Sequence, residues 1–197
     1  MTLAARAVTP PCDLDVEETA LPGLLLLKPR VFSDRRGCVF EGWSAARYAA
    51  AGVPSVFAQD NVSRSRVGVL RGLHLQHPFA QGKLVCAVAG EIYDVALDLR
   101  RGSPTFGRWT SVMLDEDSLH QLYVPPGVAH GFCALRDGTL VTYKCTEAYH
   151  PEAELGVRWD DPDLGIPWPI AAPLVSEKDA RLPRLRDVPP SSLPRFR

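Results

Sequence analysis

The stretch GVLRGLHLQHPFAQGKLVCAVAG, residues 68–90, holds two short apolar runs separated by a polar turn. The runs 67–75 and 83–89 are rich in Val, Leu and Ala and are of strand length. The intervening HPFAQG is turn chemistry, which predicts two sequential strands joined by a tight connection. Two polar positions stand out against this pattern. Five residues separate Gly68 from His74, and six separate Lys83 from Gly90. A second spaced group, Pro125-x-Gly127-x-x-His130, recurs downstream.

Working outward, similar runs occur at 24–32, 91–99, 107–114, 120–124, 131–135 and 139–147. Most of the 18 prolines and 15 glycines fall between such runs, as expected of strands joined by turns. The even spacing predicts an all-β sandwich or barrel with a few short peripheral helices. In EIYDVALDL (91–99) the residues alternate. Ile92, Asp94, Ala96 and Asp98 share one face, and Tyr93, Val95, Leu97 and Leu99 share the other, which is expected to meet the core. Ser44 is placed to cap a helix over 45–51, and Ser176 to cap one over 177–181, which Pro183 stops. Residues 1–20 read as a flexible extension, 21–183 as one domain, and 184–197 as an irregular Pro-rich tail.

The balance of 22 Lys and Arg against 23 Asp and Glu gives no electrostatic bias towards nucleic acid or an anionic membrane. The longest aliphatic run, Leu24–Leu27, is far too short to span a bilayer. The first residues lack the apolar core of a signal peptide, so the cytoplasm is the expected compartment. Five cysteines without a CxxC pair fit reduced thiols, three of them inside apolar runs.

The spacing around His74, Lys83 and His130 resembles the cupin frame. Its metal-binding form reads Gly, five residues, His-x-His, a short gap, Glu, six residues, Gly, followed by Pro-x-Gly-x-x-His. Here Gln76 stands where the second imidazole would be, and Lys83 where the carboxylate would be. His77 does not replace the missing ligand, because neighbouring strand residues point oppositely. A divalent cation would lose two ligands and face an ammonium, so neither metal nor other cofactor is expected.

Longer motifs narrow the resemblance. QDNVSRSRVGVLRGLHLQ (59–76), QGKLV (81–85), SPTFGRW (103–109), PPGVAHGF (125–132), YKCTEAYHP (143–151) and SEKD (176–179) resemble, in order, the dTDP-4-dehydrorhamnose 3,5-epimerase family. The resemblance implies a cupin-like jelly roll that moves protons beside a ketone on a nucleotide-linked 6-deoxy sugar. Such chemistry needs a base, a cation at the ketone oxygen, and an acid on the opposite face. By resemblance His74 is the base, Asp179 orients it, Lys83 steadies the enolate oxygen, and Tyr143 returns the proton. Arg36 and Arg71 fit phosphate or nucleotide contacts, Gln59 and Asn61 offer amides, and Glu41 is expected near the base. His130 and Tyr149 are expected to contact substrate. The family also implies a homodimer with exchanged amino-terminal strands, so that 22–41 completes the neighbour's pocket. The chain departs from many relatives at Asn61-Val62-Ser63, where an Asn-His-Ser triplet is common.

Blander readings stand beside these. Lys83 could be a strand lysine that snorkels to water, Tyr143 a core aromatic, and Ser176-x-x-Asp179 a simple helix cap. An epimerase acting on one carbon, a metal-dependent cupin enzyme and a non-catalytic sugar-binding cupin are the alternatives.

Overall fold

The computed structural model describes residues 14–196. The chain forms β1 (Leu14–Glu18), β2 (Leu25–Pro29), β3 (Val31–Asp34), β4 (Gly37–Phe40), α1 (Ala45–Ala50), β5 (Gln59–Ser65) and β6 (Leu70–Gln76). There follow β7 (Lys83–Ala89), β8 (Glu91–Asp98), β9 (Trp109–Asp115), β10 (Gln121–Val124), β11 (Val128–Ala134), β12 (Thr139–Cys145), β13 (Glu154–Gly156) and α2 (Glu177–Ala180). One sheet has the order β1-β2-β10-β7-β12-β5 and a second the order β13-β6-β11-β8-β9, while β3 and β4 pair only with each other. The named strand pairs are all antiparallel. Two facing sheets with crossed connections make the expected jelly roll. Among the described residues no helix is long and apolar enough to cross a membrane.

The sheets close on an interior of Leu24, Val85, Ile92, Ala96, Leu122, Val128, Phe132 and Val141, all buried. The alternation in β8 meets a different outcome from the one expected, because both its faces are covered. Ile92 and Ala96 join the interior between the sheets, whereas Val95, Leu97 and Leu99 enter a second cluster with Leu73, Leu75, Val157, Val188 and Leu193. Asp94 and Asp98, placed on the solvent side by the pattern, are fully buried and paired.

The carboxy-terminal tail covers the face that carries Val95, Leu97 and Leu99. It does lack strands, but Val188 and Leu193 are 8% and 3% exposed and cover the outer face of the five-stranded sheet. Burial of each is worth about 1.5–3 kcal/mol, enough to dock a Pro-rich segment that has little conformational entropy to lose. The amino-terminal expectation also needs correction. Residues 1–13 lie outside the described residues, but 14–18 form an edge strand on β2, with Lys28 bonded to Glu17 at 2.6 Å. Acidic side chains on an exposed edge hide the strand pattern.

One close approach positions the site. A Cβ on Gly72 would lie 2.5 Å from Gly131 Cα and 3.0 Å from His130 O, and Gly72 has φ +132°. Only glycine fits there. The two glycines let β6 and β11 run close together, and the ladder sets His74 opposite His130.

Candidate active site

His74 projects from the five-stranded sheet, whereas Lys83 on β7 and Tyr143 on β12 come from the six-stranded one. All three line a cavity of about 530 Å³ together with Arg66, Arg71, His130, Lys178 and Asp179. A neighbouring cavity of about 290 Å³ shares His74, Lys83, Tyr143 and Lys178 and adds Gln59, Asn61, Tyr149 and Glu154. The base, cation and acid expected from the sequence are thus in one place.

The imidazole of His74 is held at Nε2, 2.8 Å from Asp179 Oδ1. The other oxygen of Asp179 accepts the Gly72 N–H at 3.3 Å, and the Asp179 N–H donates to Ser176 Oγ at 3.0 Å. Ser176 therefore caps the helix at the Asp179 backbone, while the Asp179 side chain is left to bond the His74 imidazole. The Asp179 side chain is only 4% exposed. Burial acts to raise its pKa, but the hydrogen bond and charge of His74, with Gly72 and Ser176, outweigh it and hold the carboxyl below its usual range. Asp179 stays ionised and bonds the imidazole.

Lys83 does not snorkel to bulk water. Its Nζ reaches His74 O at 3.5 Å, and burial pushes the ammonium below the ordinary lysine range against the opposing influence of Cys145, Glu154 and Asp94. Burial, followed by Cys145, raises the Tyr143 phenol above its usual value, with Arg71 opposing. Tyr143 therefore keeps its proton at neutral pH. Across the ladder His130 is only 8% exposed and its Nε2 lies 2.8 Å from Asp94 Oδ2.

The other expected residues divide into two groups. Arg71 lines the larger cavity and bonds Ser65 Oγ at 3.2 Å. Gln59, Asn61 and Tyr149 line the smaller one. Arg36 and Glu41 do not reach either cavity in their own chain. Arg36 is exposed on the β3–β4 hairpin and bonds Asp34, while Glu41 pairs with Arg47. Val62 also faces away, at 70% exposed, because β5 turns Gln59, Asn61 and Ser63 inward and its alternate residues outward. The departure from Asn-His-Ser leaves these two cavities untouched.

Sequence reasoning missed Glu154, Lys178, Arg66 and Asp94. Glu154 accepts Lys178 Nζ at 2.7 Å and Tyr149 Oη at 2.6 Å. Lys178 stands next to Asp179 in SEKD, which is the one local signal that could have found it. The donor set does not fit a divalent cation. Lys83 is cationic, the Gln76 amide is spent on backbone groups, and among the described residues no three His, Cys, Asp or Glu side chains gather as ligands.

Fold and site define a cupin-like barrel whose pocket is arranged for proton transfer beside a developing anion. The family model for dTDP-4-dehydrorhamnose 3,5-epimerase matches residues 18–187. The enzyme of that description from Pseudomonas aeruginosa is 51% identical over 162 residues, 81% of this chain and 90% of its own length. Its counterpart from Methanothermobacter thermautotrophicus is 47% identical over 175 residues, 87% of this chain and 95% of its own. The crystal structure of dTDP-6-deoxy-D-glucose-3,5-epimerase from Legionella pneumophila in complex with dTDP-4-keto-L-rhamnose superposes with a TM-score of 0.90. That pair is 42% identical and covers 93% of this chain and 99% of the other. The chain belongs to the dTDP-4-dehydrorhamnose 3,5-epimerase family.

The half-buried, desolvated ammonium has a measurable consequence. A lysine with a depressed folded-state pKa binds fewer protons than the unfolded chain between that pKa and about 10.5, so its destabilising effect is full below the window and fades as pH rises through it. Lys83→Met is therefore expected to unfold at higher urea concentration than the parent at pH 7, with the gap narrowing towards pH 10. Equal midpoints at both pH values would show that Lys83 is not desolvated.

Proposed function

We propose that this chain is an isomerase that inverts C3 and C5 of dTDP-4-dehydro-6-deoxy-D-glucose, giving dTDP-4-dehydro-L-rhamnose. One observation carries the reading. An Asp179-held imidazole on one sheet faces a protonated phenol on the other, with an ammonium in the same cavity. A sugar ring between the sheets would present one face to His74 and the other to Tyr143.

A C–H beside the C4 ketone is acidic because its electron pair can move to the C4 oxygen. His74 takes the proton, for which an imidazole is well suited at neutral pH. Asp179 steadies the resulting imidazolium. Lys83 donates to the C4 oxygen as charge develops, the role of an oxyanion-hole group. Tyr143 then delivers its proton to the opposite face of the same carbon, and the configuration is inverted. The second carbon flanks the same ketone, so the same three groups serve it once His74 has released its proton to solvent and Tyr143 has regained one. Arg66, Arg71 and Lys178 offer the cationic contacts that a diphosphate requires.

The same reading includes a homodimer with exchanged amino-terminal segments. Among the described residues the β3–β4 hairpin has no sheet neighbour, and Phe32 and Val39 on it are 48% and 67% exposed. An apolar hairpin of this kind suits burial against a second copy. Arg36 and Glu41 would then reach the partner's cavity, which explains why they miss their own. Localisation in the cytoplasm belongs to the same proposal.

Incubation with the 4-keto sugar in D₂O, with a reductase trapping product, tests the activity. Deuterium is expected at both C3 and C5. His74→Ala should abolish both exchanges, and Tyr143→Phe should keep exchange while altering product stereochemistry. Lys83→Met should lower kcat by about 10²–10³-fold. Label at a single carbon would favour an enzyme acting at one position. Subunit exchange tests the dimer. Mixing His74→Ala and Arg36→Ala proteins is expected to restore activity, because the heterodimer regains one intact site. No gain in the mixture would place Arg36 outside the partner's pocket.

A further inference from the structure

The segment joining β12 to β13 passes the mouth of the smaller cavity and carries Tyr149. Three glutamine side chains hold its backbone. Gln76 on β6, 3% exposed, donates from Nε2 to Phe79 O at 2.9 Å and to Ala148 O at 3.1 Å, while its Oε1 accepts the His150 N–H at 2.8 Å. Gln59 Oε1 accepts the Tyr149 N–H at 2.8 Å. Gln81 Nε2 donates to Glu147 O at 2.8 Å and Ala148 O at 3.2 Å. Residues 147, 148, 149 and 150 are thus each fastened by a side-chain amide.

The chemistry of these contacts is informative. An amide side chain has two N–H donors and a carbonyl acceptor. Gln76 has used both donors on carbonyls and its acceptor on an N–H, so it has no donor left for a ligand. Tyr149 is secured at both ends, its N–H by Gln59 and its hydroxyl by Glu154 at 2.6 Å. The neighbouring His150 ring stacks on Phe79 with centroids 4.2 Å apart and planes 18° apart, which packs the two gripped loops together. Phe79 itself sits at φ +63°, a backbone region costly for a bulky residue and retained where its surroundings fix it.

We infer that Gln76, Gln59 and Gln81 form a clamp that positions the Tyr149 ring against the bound sugar. Gln76 and Gln81 act on the reaction through Tyr149 and not by touching substrate. The inference rests on the activity proposed above and adds to it a use for Gln76, at the place where a metal-binding frame would hold its second imidazole. That position holds a loop instead of an ion.

The test uses the full-length protein and the variants Gln76→Met, Gln81→Ala and Tyr149→Ala, singly and combined. Hydrogen exchange reads the clamp directly, because the Tyr149 and His150 amides are two of its donors. Exchange in 147–152 is expected to accelerate about tenfold or more in Gln76→Met, with the strands unchanged. Turnover of the 4-keto sugar should fall about tenfold or more in kcat. In Gln76→Met, affinity for dTDP, whose diphosphate is assigned to Arg66, Arg71 and Lys178, should change less than about twofold, since none of these three cations bonds a clamp glutamine. Adding Gln81→Ala to Tyr149→Ala should cost less than about twofold further, because the clamp has then lost what it positions. Gln81 is the more exposed glutamine, so its variant keeps the test valid if Gln76→Met fails to fold. Losses that multiply in full, or an unaltered exchange rate in 147–152, would overturn the clamp. Absence of turnover in the unsubstituted protein would count against the activity, while the exchange arm would still decide the clamp.

Discussion

An ammonium desolvated in the wall of a cavity is destabilising unless negative charge faces it. Lys83 lies under this constraint. Burial lowers its proton affinity, and the carboxylates that oppose this, Glu154 and Asp94, are themselves engaged by Lys178 with Tyr149 and by His130. The pocket therefore lacks an anion at one point. A neutral ketone does not supply that charge, whereas its enolate does, so the favourable interaction grows as the proton leaves. Stabilisation that appears only along the reaction raises kcat and not merely affinity. A metal would give the same polarisation, but here a lysine occupies the place of a ligand.

The rest of the structure serves to bring His74 and Tyr143, the proposed base and acid, to this cation. His74 and Asp179 are 105 residues apart in sequence and meet at 2.8 Å because α2 packs beside β6. The Gly72–Gly131 approach sets the spacing of β6 and β11, and the Gly72 N–H fixes the second oxygen of Asp179. Tyr143 enters from the opposite sheet, as inversion requires. Clusters on the outer faces of both sheets, one under the carboxy-terminal tail and one under α1, hold the strands that carry these groups.

Much of this was legible before any coordinates. Gly68, His74, Lys83, Gly90 and Pro125-x-Gly127-x-x-His130 keep their meaning because strand register converts spacing directly into facing positions. β5 was not read as a strand. It is an edge strand whose inward residues, Gln59, Asn61 and Ser63, are polar because they face the cavity or its rim, so hydrophobic alternation is absent. β1 was hidden by its acids for a similar reason. Asp94 looked like a solvent position because period-two patterning assumes one wet face, but its face of β8 lies between the sheets, where His130 pairs it, and the tail covers the opposite face. Arg36 and Glu41 could be matched to the family, but a single chain has no geometry that brings them to its own site.

The most direct measurement is a crystal structure of the His74→Ala variant holding the unreacted 4-keto nucleotide sugar. The C4 oxygen is expected within about 3.2 Å of Lys83 Nζ, with the sugar ring lying between position 74 and the Tyr143 hydroxyl. A C4 oxygen turned towards Arg66 and Arg71, out of reach of Lys83, would contradict this arrangement.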